Sequence, residues 1–141
     1  AKVTSQTKSQ ATRIARKILE GLDYVGVMGV ELFEMRGGRL LVNEIAPRVH
    51  NSGHWTQDGC VCDQFEQHVR AVAGWPLGPT AAHAQVEMTN LLGNEIKGWK
   101  ALAADPAVRM HVYGKREAKP GRKMAHVNRM KPLRRGPGRK S

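Results

Sequence analysis

From Ser9 onward, Ala11, Ile14, Ala15, Ile18, Leu19 and Leu22 recur three and four positions apart, with Arg13, Arg16, Lys17 and Glu20 between them. That spacing predicts a surface helix with one buried face, ended by Gly21, and the polar residues 1–8 are expected to be frayed or extended ahead of it. Tyr24 to Met35 is β-branched and glycine-containing, and Arg39 to Ile45 has the same character. With Gly37-Gly38 between them, the two runs predict a β-hairpin. Ala46 to Gln57 is polar, turn-rich and without period, hence a loop. Asp58 is expected to cap a second helix in which Val61, Phe65, Val69 and Val72 share a face, with Gly74 and Pro76 stopping it.

Beyond Pro79 the elements shorten. His83 to Leu92 and Val108 to Tyr113 predict strands, Trp99 to Ala104 a short helix, and Met124 to Asn128 a last strand after a loop rich in Lys, Arg, Pro and Gly. Residues 131–141 are basic, low in complexity and expected to be disordered. Helices mixed with mostly antiparallel strands indicate an α+β fold. Of 141 residues 40% are apolar, enough for a core, and no apolar run approaches the ~18–20 residues of a membrane span. The start, Ala1-Lys2-Val3-Thr4-Ser5, lacks a charged-then-apolar leader pattern. Cys60 and Cys62, at alternate positions, cannot pair without strain, so a reducing cytoplasm is the expected location.

Charge alters this picture at one end. Up to Val108 eleven basic and eleven acidic residues cancel, so the net +11 lies beyond it, where Glu117 is the single acid. Such asymmetry points to a polyanion: nucleic acid, an anionic membrane surface or a phosphorylated substrate. No aromatic residue lies beyond Tyr113. The basic segment therefore lacks the stacking platform of single-strand or RNA binders, which disfavours a nucleic-acid module without removing it as a rival.

If the hairpin turns symmetrically on Gly37-Gly38, residues whose numbers sum to 75 lie opposite each other, and Glu31 faces Glu44. Two like charges there destabilise a sheet unless something neutralises them. A divalent cation does so, and Mg²⁺ binds through one or two carboxylates plus nucleotide phosphates. Asn43 offers a neutral oxygen, although in a regular strand it points to the other face. The plain alternative is an accidental, solvated pair, since a one-residue bulge would break the register. Glu34, expected opposite Leu41, suggests no chemistry.

Arg48, His50, Asn51, Ser52 and His54 follow directly. An arginine fork with short hydrogen-bonding side chains makes a polar cradle for carboxylate or phosphate, and Gly53 lets the backbone turn tightly. A zinc site from His50, His54, Cys60 and Cys62 is disfavoured, because Cys-x-Cys is not the spacing of structural zinc. Cys60 is expected to pack rather than act as a nucleophile, and His68, His83, His111 and His126 to be structural or surface residues.

The stretches Gly29-Val30-Glu31-Leu32-Phe33 and Asn43-Glu44-Ile45-Ala46-Pro47-Arg48, continuing through His50-Asn51-Ser52-Gly53-His54, resemble the carboxylate-amine ligases of the ATP-grasp superfamily. Within it the chain is most similar to the 5-(carboxyamino)imidazole ribonucleotide synthases. The similarity runs on through Gln64-Phe65-Glu66-Gln67-His68, Asn90-Leu91-Leu92-Gly93, Tyr113-Gly114-Lys115 and Pro120-Gly121-Arg122-Lys123, covering residues ~9–130. The formate-dependent glycinamide ribonucleotide transformylases match less well at Asn51-Ser52-Gly53-His54.

The resemblance implies ATP- and bicarbonate-dependent carboxylation of 5-aminoimidazole ribonucleotide in purine biosynthesis, through carboxyphosphate. It implies Glu31 and Glu44 as ligands of Mg²⁺ (or Mn²⁺) and Asn43 with Glu44 as ATP contacts. Arg48, His50, Asn51 and Ser52 would surround the ribonucleotide and the bicarbonate-derived group, with Arg48 catalytic, and Lys115 and Arg122 would hold the 5′-phosphate. It further implies the end of an ATP-grasp domain over 1–77, a small C-terminal domain over 78–130 and a homodimeric full enzyme. The nucleotide-fold domain, the lid and the adenine hinge of that family have no counterpart in this sequence, so the chain is expected to be inactive alone. A non-catalytic nucleotide-binding scaffold remains the other alternative.

Overall fold

The computed structural model describes residues 3–132 and has an α+β fold. The elements are α1 (Ser5–Gly21), β1 (Gly29–Glu34), β2 (Leu40–Ala46), a 3₁₀ turn (Asn51–Gly53), α2 (Thr56–Gly59), α3 (Gln64–Val72), β3 (Ala84–Leu92), a second 3₁₀ segment (Gly93–Gly98), α4 (Trp99–Ala103), β4 (Val108–Val112) and β5 (Lys123–Pro132). They form two compact units that interleave in sequence: Ala1–Gly53 with Gln64–Gly78, and His54–Asp63 with Pro79–Ser141. No helix among the described residues is long and apolar enough to cross a membrane.

In the first unit, α1 begins earlier than its apolar pattern. Thr4 caps it, its hydroxyl accepting from the Thr7 amide at 3.0 Å. Residues 5–8 are therefore helical rather than frayed, because a side-chain cap replaces a missing intrahelical partner. Thr7 is buried and donates to Glu34 Oε1 at 3.0 Å, which ties the first helical turn to the hairpin. The apolar stripe of helix α3 is not its buried side. Val61, just before it, and Phe65, Val69 and Val72 on it are exposed, while Gln64 is buried. Its inward side is set by polar contacts. The Gln64 carboxamide brackets both backbone groups of His50, Gln67 does the same to Gly78, and His68 Nδ1 accepts from the Val27 amide.

The second unit is built on a sheet of order β3-β5-β4, antiparallel throughout. As the central strand, β5 is covered on both faces. Ala125 and Val127 point into an apolar cluster with Leu91 and Val108, backed by Ile96, Leu102 and Met110. The alternate residues His126 and Asn128 are fully buried on the opposite face. The expected single helix from Asp58 is two pieces. After Gly59 the chain leaves the helix, Cys60 bridges to Ala82, and the amides of Val61 and Cys62 donate to the carbonyls of Ala81 and Pro79. Asp58 thus lies inside α2 and is no cap. Strand β5 also runs further than expected: Lys131 belongs to it and pairs with Glu87 at 2.7 Å. The rest of the predicted disordered tail, 133–141, lies outside the described residues.

Candidate active site

The hairpin closes through Arg36-Gly37-Gly38, with the Met35 amide donating to the Arg39 carbonyl and both glycines at positive φ, 86° and 79°. Nearest the turn the partners are Glu34↔Leu40, Phe33↔Leu41 and Leu32↔Val42. Glu34 therefore faces Leu40, not Leu41. The register then shifts between Glu31 and Leu32, and beyond the shift Glu31 faces Glu44, Val30 faces Ile45 and Gly29 faces Ala46. The unmatched residue is Asn43. A bulge turns its side chain out of strict alternation, and Asn43 Nδ2 donates to Glu31 Oε2 at 3.3 Å. Asn43 consequently shares a side with the two glutamates instead of pointing away.

His50 reaches the same place from the following loop. Its Nε2 is 3.5 Å from Glu31 Oε1 and its Nδ1 is 2.8 Å from Ser52 Oγ. Ligand atoms of Glu31, Glu44 and His50 lie within 4.8 Å of one another. Gly29 makes this approach possible, since a Cβ there would stand 2.7 Å from His50 Cγ. Both glutamates are exposed, so the cluster is open to solvent. Asn43 and Glu44 also line a groove of about 580 Å³ with Val42 and Ile45 of β2 and Lys17, Ile18, Gly21 and Leu22 at the end of α1. Arg48 is exposed and its Nη1 donates to the Val49 carbonyl; Asn51 and Ser52 form the 3₁₀ turn.

Lys115 and Arg122 belong to the second unit, on the connection from β4 to β5. Lys115 Nζ donates to the Lys123 carbonyl at 2.7 Å and lies 5.4 Å from the Tyr113 ring centroid. The Arg122 carbonyl accepts from the Gly93 amide at 2.8 Å. Both side chains are exposed, in a segment that also carries Arg116, Lys119 and Lys123.

Two groups of residues are not evident from the sequence. Gln64, which brackets His50, has only the polar run Gln64 to His68 as a signal. The other group is a buried polar cluster in the second unit. Asp58 Oδ2 accepts from Asn128 Nδ2 and meets His111 Nε2, both at 2.7 Å, and Tyr113 Oη is 2.7 Å from His126 Nδ1. The His126 ring lies between those of His54 and His111, with centroids 4.8 and 4.6 Å away. Burial first, and then the His111 and His54 rings, push the His126 imidazole down to about 4, with Asp58 opposing. Burial raises the Tyr113 phenol. The Cys60 thiol is raised by burial, then by Asp63 and Cys62.

A carboxylate pair on a hairpin, an adjoining groove and a polar loop directly after it thus lie together in the first unit. Residues 1–65 match the ATP-grasp domain family, and residues 87–134 match the phosphoribosylaminoimidazole carboxylase C-terminal domain. The chain is homologous to the C-terminal part of the N5-carboxyaminoimidazole ribonucleotide synthases, with both domain matches in their order. It is 52% identical to the synthase of Brucella melitensis over 132 residues, 94% of this chain and 36% of that protein. Among solved structures, an ADP complex of an N5-carboxyaminoimidazole ribonucleotide synthetase superposes with a TM-score of 0.87 at 42% identity, covering 93% of this chain and 35% of that one. The Aspergillus clavatus synthase in complex with ADP and 5-aminoimidazole ribonucleotide gives 0.86 at 33% identity, covering 94% and 37%. The chain thus spans about a third of the length of the relatives it matches.

Proposed function

We propose that this chain supplies the metal-binding and substrate-binding part of an enzyme that carboxylates 5-aminoimidazole ribonucleotide with ATP and bicarbonate. The observation that carries the reading is the convergence of Glu31, Glu44, Asn43 and His50 on one side of a bulged hairpin. Two facing carboxylates with a neutral amide oxygen nearby suit a hard divalent cation, Mg²⁺ or Mn²⁺. Glu31 and Glu44 would hold it, and when bound it would neutralise charge on nucleotide phosphates. Asn43 and Glu44 would contact ATP where they line the groove. Arg48 is the catalytic residue of this reading, its guanidinium stabilising the anionic carboxyl-transfer group, while His50, Asn51 and Ser52 orient substrate around it. Lys115 and Arg122, with their basic neighbours, would hold the ribonucleotide 5′-phosphate.

The relatives' ligands support this assignment, since solved structures similar to this chain contain ADP and aminoimidazole ribonucleotide. We assign residues 1–77 to the ATP-grasp portion and 78–130 to the phosphate-binding domain, and expect a homodimer of the full enzyme. Cys60 and Cys62, at alternate positions where a disulfide would be strained, suit a reducing cytoplasm. Thermal-shift titration with Mg·ADP and with aminoimidazole ribonucleotide tests the proposal. Stabilisation by one or both is expected, and Glu44→Gln should remove the Mg²⁺-dependent part. An identical Mg²⁺ response in wild type and variant would refute the metal role.

A further inference from the structure

We propose that Gln64 is a positioning residue for this site, holding His50 so that its imidazole Nε2 stays beside Glu31; the inference rests on the metal reading of Glu31 and Glu44. Gln64 is buried, and its carboxamide makes two hydrogen bonds of 2.9 Å to one residue. The His50 amide donates to Oε1, and Nε2 donates to the His50 carbonyl. A paired contact of this kind fixes the peptide plane in two directions, as a neighbouring strand would, where no strand is present. The Cα of Gly53 packs against the same carboxamide, so that a Cβ there would stand 2.8 Å from Gln64 Cδ.

With its backbone pinned, the ring of His50 is held between Ser52 and Glu31. On one side Nδ1 lies 2.8 Å from Ser52 Oγ and 3.4 Å from the Ser52 amide, and on the other Nε2 lies 3.5 Å from Glu31 Oε1. A ring nitrogen in that place limits where the carboxylate can turn, while its other oxygen meets Asn43.

An internal control lies three residues further along α3. Gln67 brackets Gly78 in the same way, with both bonds at 2.8 Å, but Gly78 carries no site residue. Replacing either glutamine by leucine removes two equivalent bonds, and only one of them is tied to Glu31.

The test is Mn²⁺ binding to the full chain, followed by the electron paramagnetic resonance signal of free Mn²⁺. Glu44→Gln should abolish wild-type binding. Gln64→Leu should weaken it about tenfold, the usual effect of losing a group that orients a ligand, while Gln67→Leu stays within about twofold of wild type. Gly53→Ala pushes on the same carboxamide from the loop side without altering α3, and should weaken Mn²⁺ in the same direction even if Gln64→Leu fails to fold. Equal Mn²⁺ affinities in wild type, Gly53→Ala and Gln64→Leu, with Glu44→Gln still inactive in binding, would overturn the role of Gln64 and leave the metal reading intact. Binding indifferent to Glu44→Gln would overturn both.

Discussion

Acidification should destabilise the second unit through His126. The ring is 1% exposed and sits between those of His54 and His111 with Tyr113 on Nδ1. Its pKa falls from 6.5 to about 4, so the unfolded chain takes up a proton over a range of pH in which the folded chain does not. Stability is therefore complete above the unfolded value near 6.5 and declines as the pH falls toward 4. At pH ~4.5 the difference amounts to about 2.5 kcal/mol, at about 1.36 kcal/mol for each pH unit below the unfolded value, less the small fraction already protonated in the folded state. Urea unfolding of wild type and His126→Gln, at several pH values from about 7 to 4.5, isolates this contribution from other titrating groups. The gap between the two proteins should narrow or reverse by about 2 kcal/mol across the series. Parallel stability curves would show that the buried imidazole is not the group that resists protonation.

Asn128→Ala, in the same cluster, removes a bond to the Asp58 carboxylate and one to the His54 carbonyl from a fully buried residue. A loss of about 3 kcal/mol is expected by urea titration, combining a charged hydrogen bond, a neutral one and the cavity. Gly93→Ala should also destabilise, by roughly 1–3 kcal/mol, because residue 93 has φ +49° and its Cβ would stand 2.9 Å from the Lys119 carbonyl oxygen. A thermal midpoint equal to wild type would show that the Gly93 turn can relax.

Periodicity and turn chemistry reveal most of the elements, since α1, the hairpin and the three strands of the second sheet each carry their own local pattern. The Glu31–Glu44 pair emerges from a register argument whose two errors cancel. The turn is one residue longer than assumed, Arg36-Gly37-Gly38 in place of Gly37-Gly38, which makes the pairs beside it sum to 74, and the bulge at Asn43 restores 75 at the glutamates. Neither displacement has a local signal, because Asn43 would be acceptable in a regular strand. Helix α3 misleads for a different reason. Its valines and Phe65 form a regular stripe, yet two glutamine carboxamides, each satisfying a loop peptide, determine which side faces inward. Hydrophobic periodicity carries no information about such contacts. The histidine cluster is similarly silent in sequence, because His54, Asp58, His111 and His126 come from three separate segments that only the sheet brings together.

The bulge in β2 changes how densely a two-stranded ribbon can display polar groups. In a regular strand, neighbours on one side are two residues apart, about 6.6 Å along the chain, so each strand offers one side chain per side over that length. By letting Asn43 and Glu44 share a side, the hairpin offers two from β2 against one from β1, within reach of a single small ion. Removing Asn43 would leave Glu31 and Glu44 opposed in an unbroken ladder and return the ribbon to its ordinary density. The extra residue thus adds a third oxygen-bearing group to a pair that could exist without it.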